Sequence, residues 1–132
     1  MKISTKGRYA LAIMIYLAKK YKDDVFVSLK EISENENISL KYLEKIMISL
    51  NKNDYFIVLR GANGGYKLKY SPEKYIIGDI LRTSEGDLSP VKCLTNNSYC
   101  MKQKKCGPYD FYNGLYKTIN KYIDSKSLKD LI

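Results

Sequence analysis

No histidine occurs anywhere in the 132-residue chain, and cysteine is held to three. The first absence removes the side chain most used for proton transfer near neutrality. With no nucleophile motif and no convincing pair of carboxylates in a pocket-forming context, an enzyme has little support. Three cysteines without histidine also make a poor zinc site, which wants four nitrogen or sulfur ligands, usually with C-x-x-C pairs. An odd cysteine count in a chain expected in a reducing compartment argues against a disulfide framework. Acidic residues are scarce too: 14 Asp and Glu stand against 23 Lys and Arg, for a net charge of +9 and a pI near 9.3. That balance favours polyanionic partners but does not separate DNA from RNA or a membrane surface. The apolar run YALAIMIYLA at residues 9–18 is ten residues long, too short to span a bilayer. It is followed by Lys19, Lys20, Tyr21 and Lys22 rather than a cleavage site, so a signal peptide is excluded and a cytoplasmic location is expected. The length allows one core with an appendage rather than two independent domains.

Periodicity then supplies the elements. Residues 5 to about 21 read as a helix that is apolar on nearly every side, with Tyr9, Ile13 and Leu17 on one stripe and Ala10 and Met14 beside it. Such a helix needs two partners: its own core and a second subunit, or simply the core of a monomer. Residues 25–27 suit a short strand. Ser28 and Glu31 form an S-x-x-E capping box for a second helix over residues 29–35. After the turn Asn35-Glu36-Asn37, Ser39 can cap a third helix ending near Asn53, with Leu43, Ile46, Met47 and Leu50 as its buried stripe. Lys41, Tyr42, Glu44, Lys45 and Ser49 make the exposed face, and the pair describes a helix-turn-helix.

Residues 55–59 and 66–70 are rich in β-formers and flank Arg60-Gly61-Ala62-Asn63-Gly64-Gly65. The pattern predicts a β-hairpin, and a hairpin directly after a helix-turn-helix is a wing. Its glycines let the backbone come close to a phosphate or groove wall, and Arg60 at its base can enter a groove. A nucleotide-binding loop is excluded, because neither G-x-x-x-x-G-K-[ST] nor a helix-opening G-x-G-x-x-G is present. Ser71-Pro72-Glu73 reads as a capped helix start, and a second start at Ile77-Gly78-Asp79 leads to Gly86. Residues 87–108 lose periodicity and read as a long loop. Beyond Pro108, the set Phe111, Leu115, Ile119, Tyr122, Ile123 predicts an amphipathic helix, despite Gly114, whose stripe suits a second subunit. The expected fold is mainly α with a small β-hairpin. Residues 1–86 form a winged helix-turn-helix DNA-binding domain, 87–108 a cysteine-bearing sensor loop, and 109–132 a long dimerisation helix and tail.

Four stretches together resemble the Rrf-two family of bacterial winged-helix transcription regulators, the IscR, NsrR, RirA and CymR type. They are MKISTKGRYA at residues 1–10, ISLKYLE at 38–44, RGANGGY at 60–66 and SLKDL at 127–131. The resemblance implies a homodimer on a palindromic double-stranded operator, with recognition helices in successive major grooves and wings in flanking minor grooves. Glu44 matches the family's glutamate that governs site choice, and a carboxylate there can accept from a cytosine amine. Arg60 matches the wing arginine. The expected DNA-binding residues are Ser39, Lys41, Tyr42, Glu44, Lys45, Arg60, Gly61 and Asn63.

Cys93, Cys100 and Cys106 are spaced C-x6-C-x5-C, among Lys92, Lys102, Lys104 and Lys105 and with no acid between residues 88 and 109. Ammonium groups nearby stabilise an anionic metal–sulfur centre. Cluster-binding members of the family carry three cysteines at closely similar spacing here. The resemblance therefore implies that Cys93, Cys100 and Cys106 ligate an iron–sulfur cluster, 2Fe–2S or 4Fe–4S. The fourth ligand is open. Tyr109 stands where some members have histidine, and Arg8, which cannot coordinate iron, stands where others have an acid. The function expected is a repressor sensing iron–sulfur, redox or nitric-oxide status. Two other readings stay open: a cluster-free thiol switch, and a cysteine-metabolism regulator of the CymR type controlled by a partner enzyme, which would not need the cysteine loop.

Overall fold

The computed structural model describes residues 2–95 and 105–132. Among them the helices are α1 (Thr5–Lys19), α2 (Leu29–Glu36), α3 (Leu40–Asn51), α4 (Ile77–Glu85) and α5 (Tyr109–Asp124), with the hairpin β1 (Phe56–Leu59) and β2 (Gly65–Leu68) between α3 and α4. Single 3-10 turns occupy Tyr21–Asp23, Pro72–Lys74, Lys92–Leu94 and Leu128–Leu131.

Serine starts each of the first three helices. Ser4 accepts from Gly7 N–H at 3.2 Å, Ser28 from Glu31 at 3.1 Å and Ser39 from Tyr42 at 3.3 Å, and each such cap stabilises its helix by about 1 kcal/mol. The Ser28–Glu31 box forms by half: the Glu31 side chain takes the Tyr16 hydroxyl at 2.6 Å instead and thereby ties α2 to α1. That carboxylate pushes the Tyr16 phenol up to about 12, first through the hydrogen bond and then through partial burial and its charge. Asn37 closes α2 in the left-handed region at φ 51°, ψ 48°, a conformation Asn tolerates better than most residues.

The core forms where three stripes meet. Ala10, Ile13, Met14 and Leu17 of α1 face Ile32 of α2 and Leu43, Ile46, Met47 and Leu50 of α3. Each of these larger side chains is at most 1% exposed, and burying one contributes roughly 1.5–3 kcal/mol. The buried stripe of α3 is therefore as expected. Ser49, however, is buried rather than on the exposed face, and its hydroxyl donates to the Thr83 carbonyl at 3.3 Å. The exposed position on that side belongs to Ile48.

β1 and β2 pair antiparallel with Phe56 opposite Leu68 and Leu59 opposite Gly65. The expected strand at residues 25–27 shrinks to one bridge, in which Val27 and Tyr66 exchange N–H···O bonds of 2.9 and 2.8 Å. A β-carbon on Gly65 would strike the Val27 carbonyl, so only glycine lets this bridge close on the wing. Gly61, at φ +113°, turns the hairpin in a region that side chains avoid. Ser71 makes no side-chain cap, and Ser71-Pro72-Glu73 opens only the Pro72–Lys74 turn.

α4 seals the winged unit with Ile77, Ile80 and Leu81. The tail also belongs to this core. Ile77 N–H bonds the Lys126 carbonyl at 2.9 Å, Leu128 N–H bonds the Tyr75 carbonyl at 3.0 Å, and Leu128 is fully buried. Ser127 and Asp130 close a full capping box over this last turn. Tyr75, itself buried, donates its hydroxyl to the Tyr55 carbonyl at 2.7 Å and accepts from Tyr70 N–H at 2.9 Å; desolvation raises its phenol above the ordinary range. No helix among the described residues is long and apolar enough to cross a membrane.

Candidate nucleic-acid interface

Lys41, Glu44, Lys45 and Ile48 recur at i, i+3, i+4 and i+7, so α3 turns them to one side. All four are exposed, and Ile48 keeps 68% of its surface. The buried stripe on the opposite side of α3 holds this face outward, because rotating the helix would expose Leu43, Ile46 and Leu50. Ser39 and Tyr42 sit differently. The Ser39 hydroxyl is engaged as the N-cap, and the half-buried Tyr42 ring packs edge-on against Tyr9 of α1, 6.0 Å between centroids at 76°. The Ser39 hydroxyl and the Tyr42 ring are thus engaged within the chain, whereas no ion pair among the described residues holds Lys41, Glu44 or Lys45.

The hairpin sorts its cations in the same way. Lys67 pairs with Asp24 at 2.7 Å and lies 4.8 Å from the centre of the Phe26 ring, while Lys69 pairs with Asp54. Both pairs tie the wing to its base. Arg60, Gly61, Ala62 and Asn63 at the tip are exposed. Among the described residues no ion pair engages Arg60, Lys41, Glu44 or Lys45. A groove lined by Ser28, Leu29, Asn51, Leu59 and Arg60 runs between the end of α3, the start of α2 and the wing. The arrangement is two outward-facing basic elements separated by a trough, and both can meet one duplex.

Of the cysteine set, Cys93 is half-buried in the Lys92–Leu94 turn and Cys106 is half-buried just before α5, where its carbonyl accepts Tyr109 N–H at 3.3 Å. Cys100, Lys102 and Lys104 lie outside the described residues. The donors that can be judged fit a cluster in kind: two thiols at the loop ends, with exposed Lys92 and Lys105 beside them. Arg8 is exposed and donates to the Thr5 hydroxyl at 3.3 Å, so it is no substitute for a missing acid. Among the described residues no three Cys, His, Asp or Glu side chains come together as a metal site. Beyond the loop, α5 buries none of its residues, and Phe111 and Tyr122 remain 69% and 65% exposed.

Two features were beyond sequence reasoning. Ile48 falls in an apolar stretch whose period assigns it no side with certainty. Arg82 shows locally only its i,i+3 pair with Asp79 at 3.4 Å, while its α5 partners Asp124 and Asn120 are 42 and 38 residues away.

A capped helix pair followed directly by a glycine-turned hairpin defines a winged helix-turn-helix, a class built to read DNA. Residues 3–132 match the family model Rrf2, described as an iron-dependent transcriptional regulator. The chain is 38% identical over 131 residues to the HTH-type transcriptional regulator CymR of Bacillus subtilis, covering 99% of this chain and 89% of that one. It is 31% identical over 133 residues to the HTH-type transcriptional regulator NsrR of Bacillus licheniformis, covering 100% and 92%. The solved structure of CymR, the global cysteine regulator of B. subtilis, superposes with a TM-score of 0.81 over 99% of this chain and 95% of that one, at 37% identity. That of IscR from T. potens gives 0.77 over 99% and 85%, at 33% identity. The chain belongs to the Rrf2 family. It is a transcriptional regulator of the CymR, NsrR and IscR type, which implies DNA binding, and with relatives of that kind it is not an enzyme.

Proposed function

We propose that two copies of this chain bind a palindromic operator and repress transcription from it in the cytoplasm. Lys41, Glu44 and Lys45 read the major groove, and Arg60, with Gly61 and Asn63, enters the flanking minor groove. The observation that carries this reading is the selective freedom of those side chains: Lys67 and Lys69 are committed to carboxylates, while Arg60 and the α3 face are not. Ser39 and Tyr42 act by orienting α3. Residues 1–86 serve as the DNA-binding domain, 87–108 as the sensor loop and 109–132 as the dimerisation segment, whose tail also docks on the DNA-binding domain through the buried Leu128. The unburied stripe of α5 supports that last role.

The signal enters at Cys93, Cys100 and Cys106. An iron–sulfur cluster held by these three thiolates would supply a centre that is lost or altered by oxidant or nitric oxide. The iron-dependent description of the family favours this reading. A second reading has its own support, since the B. subtilis relative is described as a global cysteine regulator; here a partner enzyme, or the thiols alone, would carry the signal. The test is anaerobic purification followed by selection from random duplex DNA. A brown protein with iron and sulfide that selects a palindrome, and whose affinity changes on air exposure, is expected. A colourless protein that tightens on DNA only with an added cysteine-metabolising enzyme favours the second reading. Binding by a variant with all three cysteines changed to Ala that matches the wild type in both reducing and oxidising buffers refutes loop sensing.

A further inference from the structure

Within its last turn α4 reaches three other helices through three different residues. Arg82 Nη2 donates to Asp124 Oδ1 and Oδ2 at 2.7 and 2.9 Å and to Asn120 Oδ1 at 2.7 Å, which holds α5. Thr83 accepts the Ser49 hydroxyl on its carbonyl at 3.3 Å and the Asn53 amide on its own hydroxyl, which holds the far end of α3. The Thr83 hydroxyl also donates to the Asp79 carbonyl at 2.7 Å, so it is locked in one rotamer. Glu85 accepts the Ser4 N–H at 3.1 Å and the Ser4 hydroxyl, which holds the start of α1. Gly86 then ends the helix, and the cysteine-bearing segment follows.

These bonds differ in kind from the rest of the α3–α4 and α4–α5 contact. The hydrophobic effect is non-directional, and ridge-into-groove packing admits a spread of crossing angles. Hydrogen bonds and an Arg–carboxylate fork fix direction as well as distance. One rigid turn therefore sets the angle between the recognition helix α3 and α5. When the α5 helices of two subunits pair, that angle becomes the separation of the two recognition helices on DNA.

We propose that Arg82 and Thr83 are positioning residues that set half-site spacing, and that the last turn of α4 is the ruler of the dimer. The inference rests on the dimeric DNA-binding reading above. It concerns residues other than those assigned above to the DNA contact and to the cysteine set.

The test uses the full-length protein and the operator selected as described, in versions whose two half-sites are moved together or apart by one or two base pairs, together with a duplex carrying one half-site. Affinities are measured by fluorescence anisotropy at one fixed salt concentration. Wild-type protein is expected to lose at least about tenfold in affinity per base pair of displacement. Arg82→Ala and Thr83→Val are expected to flatten that dependence to about threefold or less while binding the single half-site as the wild type does. Arg82→Lys, which keeps a donor for Asp124, is expected to restore most of the profile. Variant profiles that superimpose on the wild type overturn the inference alone, as does a flattened profile in which half-site binding falls equally, since that reports a damaged recognition unit. Failure of the wild type to prefer any paired site overturns the dimeric reading itself and this inference with it.

Discussion

α3 and α5 are both amphipathic, with apolar residues at three- and four-residue intervals, yet they end in opposite states. α3 buries Leu43, Ile46, Met47, Ser49 and Leu50, whereas the longer α5 buries nothing and leaves Phe111 and Tyr122 in the open. Period alone marks a helix that seeks a cover; it does not say whether the cover lies within the chain. For α3 the cover is α1, α2 and α4. Among the described residues α5 meets α4 through Arg82, reaches Asp87 through the Tyr116 hydroxyl and packs the partly buried Ile123 against the core. Phe111 and Tyr122 are thus the apolar side chains of α5 left for a cover from outside the chain.

The largest expected effect separates these helices directly. Leu43→Ala should destabilise the protein by about 2–5 kcal/mol, because the fully buried site leaves a cavity that its neighbours cannot fill. Phe111→Ala should stay within about 0.5 kcal/mol per protomer while shifting the mass seen by size-exclusion chromatography with light scattering toward the monomer. Urea unfolding of both variants checks the first half of the comparison. Equal losses of stability with unchanged mass would mean that α5 is packed within its own subunit.

The same contrast between free and committed groups holds inside the wing at smaller amplitude. Arg60→Ala should weaken operator binding by about 1–3 kcal/mol and relax preference at the position it reads. Lys69→Ala, whose ammonium already serves Asp54, should leave affinity close to that of the wild type. Anisotropy titrations at constant salt measure both. A larger loss for Lys69→Ala would reassign the DNA contact to the strand.

The smallest effect probes the α1–α2 join. Tyr16 titrates at about 12 in the folded chain because Glu31 holds its hydroxyl, against about 10 when unfolded. A raised pKa of this kind adds stability that is complete below pH 10 and is lost as pH climbs toward 12. Wild-type stability should therefore fall across that window, and Tyr16→Phe should fall less. The difference is small, since the phenol is only partly shielded from water. Parallel denaturation curves for the two proteins between pH 10 and 12 would show that Glu31 does not hold the phenol.

Much of the winged unit was legible from local pattern. Ser28 and Ser39 announce helices because a hydroxyl at an N-cap satisfies a backbone N–H two or three residues on, a purely local event. The Arg60–Gly65 string announces its turn because glycine alone is easy at positive φ. Ser49 was misplaced because it borders the buried stripe, and Thr83, which draws it inward, is 34 residues away. Glu31 completes only half of its capping box for the same reason: Tyr16 takes its carboxylate from another helix.

By itself the sequence determined the identity and order of the helices, the wing, the two candidate DNA-facing elements and the basic loop with its cysteines, since each depends on spacing along a few turns of chain. Tertiary structure alone decided which cations stay free, that Leu128 returns to the core, and that Arg82, Thr83 and Glu85 tie α5, α3 and α1 to one turn. Those outcomes depend on groups far apart in the chain meeting at hydrogen-bonding distance, and no local period encodes such a meeting.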